Sequence, residues 1–274
     1  MMLEDVQGRL DARGISLDEV GITGLRYPVV VCDRDGAKQE TLGEATMSVA
    51  LPAEAKGAHL SRFVEVIHEY ATEISVSTLP MIVDTLRQRL ATSRSRLQVK
   101  ATYFRERRAP VTGTPSMMGY EAVWSAESDG PAIHREISAR VPVTSVCPCS
   151  KVISDYGAHN QRGHITLHAR LCPSAAEPLW VEDLIDLAER SASAPVYPLL
   201  KRPDERHVTM LAFDNPVFVE DMARNVAHEL RDDSRVAAFG VHAANEESIH
   251  DHAAYATLEW PQPGLLLSLR WGLQ

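Results

Sequence analysis

The order of strand-like and helix-like segments is the feature that most limits how this chain of 274 residues can fold. Two apolar, strand-like segments come first, two segments with apolar side chains at helical spacing follow, and two strand-like segments come next. In chain order these segments are residues 21–31, 41–51, 61–74, 78–90, 97–103 and 120–124. The pattern predicts a hairpin, a pair of helices and a second pair of strands.

The second half of the chain repeats this order. Four more strands and two more helices are predicted, the second helix with Asn215 as its N-cap and Pro216 at its first position. The predicted segments are residues 131–143, 163–171, 181–188, 215–230, 236–242 and 255–260. The chain thus has the order ββααββ twice, with a boundary near Gly130.

This order predicts the fold class α+β, because an antiparallel sheet can cover one face with its helices and leave the other face for packing or for a partner. The expected division is an N-terminal arm over residues 1–20, a first module over residues 21–130 and a second module over residues 131–274.

Composition excludes several classes of protein. A hydrophobic content of 45% with 24% charged residues is typical of a globular chain, and no apolar run is long enough to span a membrane. The net charge of −9 argues against a nucleic-acid-binding protein, which would present a basic patch. Four unevenly spaced cysteines do not form a disulfide framework, and the N-terminus is acidic with no apolar signal region. A cytoplasmic protein without membrane or nucleic-acid partners is therefore expected.

Two cysteines and a histidine form a cluster between two of the strand-like segments. Cys147 and Cys149 are two residues apart, and His159 follows Cys147 by twelve residues. Cysteine and histidine together are ligands that suit a divalent ion such as zinc. The alternative is buried structural cysteines beside a surface histidine. However, the neighbouring Ser-Lys and Asn-Gln-Arg residues supply polar groups that a core strand does not need, so a functional segment is favoured.

A cationic segment lies between the helices of the second half, where we expect a loop. Residues 197–206 place Lys201, Arg202 and Arg206 beside two carboxylates. Such a segment is typical of a phosphate-binding cluster with a carboxylate metal ligand, or else of a solvated loop. Glu220 lies in the first turns of the next predicted helix, where the helix dipole favours a carboxylate whatever its role.

Two further groups carry acid, base or anion-binding side chains. Glu247, His250 and His252 lie in a predicted turn between the last two strands and are candidates for proton transfer, although a polar hairpin turn would have a similar composition. His59 and Arg62 precede or open a predicted helix, which is a position that favours anions. Their role is left open by the sequence pattern alone.

Together these stretches resemble the signature of the type IB GTP cyclohydrolase I family. The central block is Ser-Val-Cys-Pro-Cys-Ser-Lys at residues 145–151, followed by Tyr-Gly-Ala-His-Asn-Gln-Arg at residues 156–162. The other blocks are residues 56–63, 199–205, 215–221 and 247–252. The blocks keep the family's order over nearly the whole chain. The resemblance implies the tunnelling fold, with two ββααββ modules per chain, and a homo-oligomer, dimer or tetramer, with active sites between subunits.

The resemblance also implies roles for individual residues. Cys147 and His159 match the family's metal ligands, with Glu205 as the third, and the metal would be zinc, manganese or iron. Glu220 matches the carboxylate that binds guanine, and the role of Cys149 stays open.

Proton transfer is assigned to Glu247, His250 and His252. This block departs from the family pattern at one position. Asp251 stands between the two histidines where an asparagine is expected, and both imidazoles are retained. Substrate binding is assigned to the cationic and helix-start residues named above: Lys201, Arg202, Arg206, Arg62 and His59.

The reaction implied by the resemblance converts GTP and water into 7,8-dihydroneopterin triphosphate and formate. Three alternatives stay open from the sequence alone. These are release of a dihydroneopterin cyclic phosphate, a deazapurine nitrile reductase with a cysteine nucleophile, and a metal-stabilised purine- or pterin-binding protein without catalysis.

Overall fold

The computed structural model describes Asp5 and residues 7–261. The predictions for the rest of the N-terminal arm and for the last 13 residues of the second module lie outside the described residues. The elements in the first half are β1 (Leu17–Cys32), β2 (Lys38–Leu51), α1 (Ser61–Tyr70), α2 (Leu79–Arg89), β3 (Ser95–Arg108) and β4 (Pro115–Ser128). Those in the second half are β5 (Ile133–Val146), α3 (Pro148–Ile153), β6 (Asn160–Leu171), α4 (Val181–Ser191), β7 (Ala194–Pro195), α5 (Arg202–Asp214), α6 (Val219–Asp232), β8 (Val236–Glu246) and β9 (Ala253–Trp260).

The strands follow the order β1-β2-β3-β4-β5-β6-β8-β9, and the two-residue strand β7 pairs with β5. The pairs β1–β2, β2–β3, β6–β8 and β8–β9 are antiparallel. The predicted class, α+β with an antiparallel sheet, is therefore confirmed. None of the described helices is long and apolar enough to cross a membrane.

The chain divides into two compact units. The first contains the described residues up to Ala101 together with Val123–Glu136. Its helices α1 and α2 bury Phe63, Ile67 and Ile82 completely. Burying each such side chain contributes about 1.5–3 kcal/mol, so these helices are held by their apolar faces.

An ion-pair cluster lies within the first unit. The guanidinium of Arg96 is buried and pairs with both Glu19 and Glu127. A buried guanidinium needs such partners because its charge loses contact with water. The strand β1, which supplies Glu19, begins four residues earlier than the sequence pattern predicts, within the segment expected to be an arm.

The second unit contains Thr102–Ala122 and the described chain from Ile137 onwards. Its helix α4 buries Leu184, Ile185 and Ala188, as their spacing predicts. Helix α6 buries Met222 and Val226 on one face. These two helices have the amphipathic pattern from which they were predicted.

Two predictions about this unit are wrong. Residues 202–206 are not a loop but the first turns of α5, a helix that buries only Asp204 and Ala212 and so shows little apolar periodicity. Asn215 is not the N-cap of the following helix: it ends α5, and its Nδ2 donates to the Ala192 carbonyl at 3.0 Å. The N-cap of α6 is Phe218. Pro216 therefore follows one helix instead of starting the next, which is a common place for proline.

Candidate active site

Cys147 is the residue at which β5 turns into the short helix α3. It is the N-cap of α3, its Sγ accepts a hydrogen bond from the Ser150 N–H at 3.5 Å, and Pro148 occupies the first turn. Both features start a helix at this point, because a capping acceptor satisfies a free N–H and proline needs no partner there. The thiol is half-buried, whereas Cys149 on the same turn is exposed.

Backbone contacts bring His159 back to Cys147. The Cys147 N–H donates to the His159 carbonyl at 3.1 Å. The hydroxyl of Ser150 accepts from the His159 N–H at 3.1 Å and donates to the Cys147 carbonyl at 3.3 Å. The predicted pairing of this cysteine and this histidine in one segment therefore has a definite structural basis.

The imidazole of His159 is hydrogen-bonded on one side. Its Nδ1 lies 2.9 Å from Oε1 of Gln161 and 4.0 Å from Oε2 of Glu247. Glu247 follows the last residue of β8, so the turn between β8 and β9 reaches this histidine. The structure thus brings together three of the predicted site residues: Cys147, His159 and Glu247.

A buried polar network that the sequence analysis missed lies behind these residues. Gln161, Ser145 and Asn245 are all less than a tenth exposed. Asn245 Nδ2 donates to Ser145 Oγ at 3.1 Å, and Gln161 Nε2 lies 3.3 Å from Glu247 Oε1. The sequence signal was the Asn-Gln-Arg run, but the partner of Gln161 depends on the pairing of distant strands.

The close approach of β6 and β8 requires glycine at position 163. Gly163 pairs with Asn245, and a Cβ at Gly163 would lie 2.3 Å from Asn245 Oδ1 and 2.9 Å from the Ala244 carbonyl oxygen. Both distances are shorter than van der Waals contact. The network and the strand pairing therefore fit together only without a side chain at this position.

We expect Gly163→Ala to destabilise the protein by about 1–3 kcal/mol, because the added methyl group forces these strands or the Asn245 amide to move. Chemical denaturation would measure the free energy of unfolding. The matched control is Gly57→Ala, whose added Cβ would be no closer than 3.7 Å to another side chain. Equal stability of the two variants would contradict the packing described for Gly163.

The two remaining acid/base candidates lie in the same turn as Glu247. The rings of His250 and His252 stack with centroids 5.1 Å apart and an angle of 16° between their planes. Both residues are exposed. The predicted turn is confirmed as a structural element, whereas a role for its imidazoles stays a prediction.

Helix α5 packs beside the cysteine–histidine segment. Ala212 of α5 lies in a small apolar cluster with Val146 and Ala194, against which Ala158 also packs. The ammonium of Lys151 in α3 lies 4.3 Å from the ring centroid of Phe213. These contacts fix α5 relative to the segment that carries Cys147 and His159.

Four predicted site residues lie at the start of α5. Lys201 is its N-cap, and Arg202, Glu205 and Arg206 follow in its first turns, all exposed. The buried residue among them is Asp204, which accepts hydrogen bonds from the backbone of Lys201 and from the loop between β3 and β4. The cationic segment is therefore the ordered start of a helix.

The Asp204 carboxylate holds this arrangement together. Its two oxygens accept from the N–H groups of Val111 and Thr112 at 2.8 Å, from the Thr112 hydroxyl at 2.8 Å and from the Lys201 N–H at 3.0 Å. Burial alone would raise the pKa of Asp204, but the hydrogen bonds from Thr112, Lys201 and Val111 outweigh it and lower the pKa to about 2.

A lowered carboxyl pKa makes stability depend on pH in a definite direction. The contribution of Asp204 is fully present above pH 3.8, the ordinary pKa of this group, and is lost as pH falls towards 2. We expect Asp204→Asn to lower the thermal unfolding midpoint at neutral pH, because its amide nitrogen would face the donors of Lys201 or Thr112. We also expect the midpoint to decrease less between pH 4 and pH 2, because the carboxyl group that titrates there has been removed. Asp214→Asn, at the exposed far end of the same helix, is the control. An Asp204→Asn profile that matches this control would contradict the role of Asp204.

Glu220 lies in the first turn of α6, and its side chain is exposed. Three residues earlier, the Val217 N–H donates to the Val146 carbonyl at 3.2 Å, and the Val217 carbonyl accepts from Ser145 Oγ at 3.0 Å. Both partners lie at the end of β5 and directly precede Cys147. The start of α6 is thereby tied to the end of the strand that leads into the cysteine.

His59 and Arg62 belong to the first compact unit. The Nε2 of His59 lies 3.1 Å from both carboxylate oxygens of Asp5, and Arg62 donates to the Arg89 carbonyl at 2.8 Å. These contacts hold the two side chains at the start of α1. Their assignment to substrate binding stays a prediction.

The donor chemistry of Cys147 and His159 fits a divalent metal. Because Nδ1 of His159 is bonded to Gln161, its Nε2 is left for a metal ion, in the arrangement usual for metal-binding histidines. Within the described part of the chain, no group of three or more His, Cys, Asp or Glu side chains is arranged to hold a metal ion. Glu205 as third ligand therefore stays a prediction.

The arrangement of the sheet and helices is similar to that of several solved structures. A hyper-thermostable AgUricase mutant matches with a TM-score of 0.51 and 7% identity over 90% of this chain and 93% of its own. A highly active BTUO mutant matches with a TM-score of 0.50 and 7% identity over 90% and 100%. At such low identity the likeness shows the fold alone, which is an α+β fold built on an antiparallel sheet.

Sequence relatives identify the family within that class. The family model described as type I GTP cyclohydrolase folE2 matches residues 3–256, and the chain belongs to this family. GTP cyclohydrolase FolE2 from Methylococcus capsulatus is 46% identical over 94% of this chain and 95% of its own length. The protein of the same name from Magnetococcus marinus is 44% identical over 95% and 97%. The predicted family resemblance is confirmed.

Proposed function

We propose that this protein is a GTP cyclohydrolase I, which converts GTP and water into formate and 7,8-dihydroneopterin triphosphate in the first step of folate and pterin biosynthesis. The observation that carries the proposal is the 46% identity to a GTP cyclohydrolase FolE2 over 94% of the chain. The contacts of Cys147, His159 and Glu247 support it, since these residues supply metal-binding and acid/base groups in one place.

The proposed metal site consists of Cys147 and His159 with Glu205 as third ligand. A divalent ion held there, zinc, manganese or iron, would lower the pKa of a bound water and so supply a nucleophile for guanine C8 near neutral pH. Binding of the guanine and the triphosphate, and proton transfer, are assigned to other side chains of the protein.

Glu220 is proposed to bind the guanine. Its carboxylate would accept hydrogen bonds from a ring N–H and from the exocyclic amine, which selects guanine over a base without this donor pair. The connection of Val217 to β5 supports this role, because it fixes the start of α6 beside Cys147.

The triphosphate is proposed to bind Lys201, Arg202 and Arg206, whose charges project from the ordered start of α5. Opening of the imidazole ring and loss of formate require proton donors and acceptors. Glu247, with His250 and His252 in the same turn, would supply them. The contact of Glu247 with Gln161 and its approach to His159 support this assignment.

One incubation tests the proposed function. The purified, metal-loaded protein is mixed with GTP, and the product is followed by pterin fluorescence after oxidation and by mass. We expect a pterin triphosphate. Release of a dihydroneopterin cyclic phosphate would change the assigned product and leave the proposed reaction at the guanine ring in place. Reduction of a deazapurine nitrile, or purine binding without turnover, would overturn the proposal.

We also propose two ββααββ modules, over residues 21–130 and 131–274, and a cytoplasmic homo-oligomer whose active sites lie between subunits. The order β1-β2-α1-α2-β3-β4 supports the first module, and four unpaired cysteines suit a reducing compartment. His59 and Arg62 would then complete a site on a neighbouring subunit.

Mixing two inactive variants tests this assembly. We expect Cys147→Ala and Arg62→Ala to restore partial GTP turnover when their subunits are exchanged, because one shared site then regains both residues. Light scattering checks the oligomeric state of each variant. A fully active wild-type monomer would contradict the assembly.

A further inference from the structure

Gln161 is a buried amide that makes contacts to both His159 and Glu247. It lies on β6, two residues after His159, and is 7% exposed. Its Oε1 is 2.9 Å from His159 Nδ1, and its Nε2 is 3.3 Å from Glu247 Oε1. One side chain therefore connects the imidazole to the carboxylate that approaches it from the turn after β8.

The neighbours of Gln161 determine which end of the amide faces which group. Ser145 Oγ donates its hydrogen to the Val217 carbonyl at 3.0 Å, so it accepts from Asn245 at 3.1 Å and from Gln161 Nε2 at 3.5 Å. The Glu247 carboxylate is also an acceptor. The amide nitrogen must face these two acceptors, and the amide oxygen must then face the histidine.

This orientation determines the tautomer of His159. An amide oxygen accepts hydrogen bonds only, so the neutral imidazole must carry its hydrogen on Nδ1 and keep the lone pair on Nε2. Glu247 does not compete for that hydrogen, because its nearer oxygen is 4.0 Å from Nδ1. The amide is the direct partner of the ring.

We propose that Gln161 is a positioning residue that holds the Nε2 of His159 ready for the metal and at the same time orients Glu247. The inference rests on the proposed function for the presence of a metal. It adds a separate role for each end of the amide. The oxygen of Gln161 accepts from the metal ligand His159, and its nitrogen donates to the acid/base carboxylate of Glu247.

The first test uses the full-length, zinc-loaded wild-type protein with ¹⁵N-labelled histidine. We expect NMR to show the hydrogen of His159 on Nδ1 and the metal on Nε2. Metal on Nδ1, with the hydrogen on Nε2, would overturn the proposal without any variant having to fold.

The second test separates the two ends of the amide. Gln161→Met removes both contacts and is expected to weaken zinc binding about 10–100-fold in a chelator competition, as is usual for partners of metal-binding histidines. Gln161→Glu keeps an acceptor for Nδ1 but loses the donor to Glu247. It is expected to retain zinc affinity within a few-fold and to lower the kcat for GTP.

Thr166→Val is the matched control, because Thr166 lies on the same strand but on the opposite face from Gln161. Gln161→Met with the zinc affinity of this control would overturn the proposal, as would equal loss of affinity in Gln161→Glu. A protein that makes no pterin but shows the expected tautomer and affinities would refute the proposed function and leave the role of Gln161 intact.

Discussion

Cys147→Ala is expected to remove the bound divalent metal and to reduce GTP turnover by at least about 100-fold. Loss of a residue that merely supports a metal ligand costs about 10–100-fold, and loss of a ligand itself should cost no less. Cys147 is also the cap of α3, but a missing cap destabilises a protein by only about 0.5–2 kcal/mol. The variant should therefore still fold.

Metal content and turnover, measured on the same samples with circular dichroism as a check of folding, test this prediction. Cys149→Ala is the matched control, since Cys149 lies on the same turn and is exposed. A folded Cys147→Ala protein that keeps stoichiometric metal and a normal rate would contradict the ligand assignment. Complete metal loss in Cys149→Ala alone would mean that the two thiols have the opposite roles.

Glu220→Gln is expected to weaken GTP binding by about 1–3 kcal/mol, which corresponds to roughly 5–150-fold in Kd, while metal content stays normal. A carboxylate accepts two N–H bonds side by side. An amide must present its own N–H to one of those donors and so leaves it without an acceptor.

Equilibrium binding of GTP measures this effect, and Asp221→Asn is its control. Asp221 lies in the same helical turn and pairs with Arg224, so this change removes an equal charge next to Glu220. Equal GTP affinity in the two variants would contradict a guanine-binding role. Loss of metal in Glu220→Gln would assign that carboxylate to a different site.

Local patterns predicted most of the elements of this fold. Amphipathic helices such as α4 and α6, and alternating strands such as β5 and β6, carry their burial pattern in the sequence. Helix α5 was missed because its start is fixed by the buried Asp204 and its length buries only one apolar residue, Ala212. A Pro-Asp pair in a first turn was the available signal.

The candidate site was predictable only where its residues are close in the sequence. Cys147 and His159 belong to one segment, and their backbones bond to each other. The partly buried contact of Gln161 with Glu247 joins residues 86 positions apart and depends on the register of β6 with β8. No local pattern contains that register, so the polar network behind the histidine required the structure.

The fate of one carbon atom tests the central claim most directly. GTP labelled with ¹³C at guanine C8 is incubated with the purified, metal-loaded protein, and formate and pterin are quantified. We predict labelled formate and unlabelled 7,8-dihydroneopterin triphosphate in equal amounts, with neither formed by Cys147→Ala. A wild-type protein that contains its metal, binds GTP and releases no labelled formate would contradict the assignment of this chain as a GTP cyclohydrolase I.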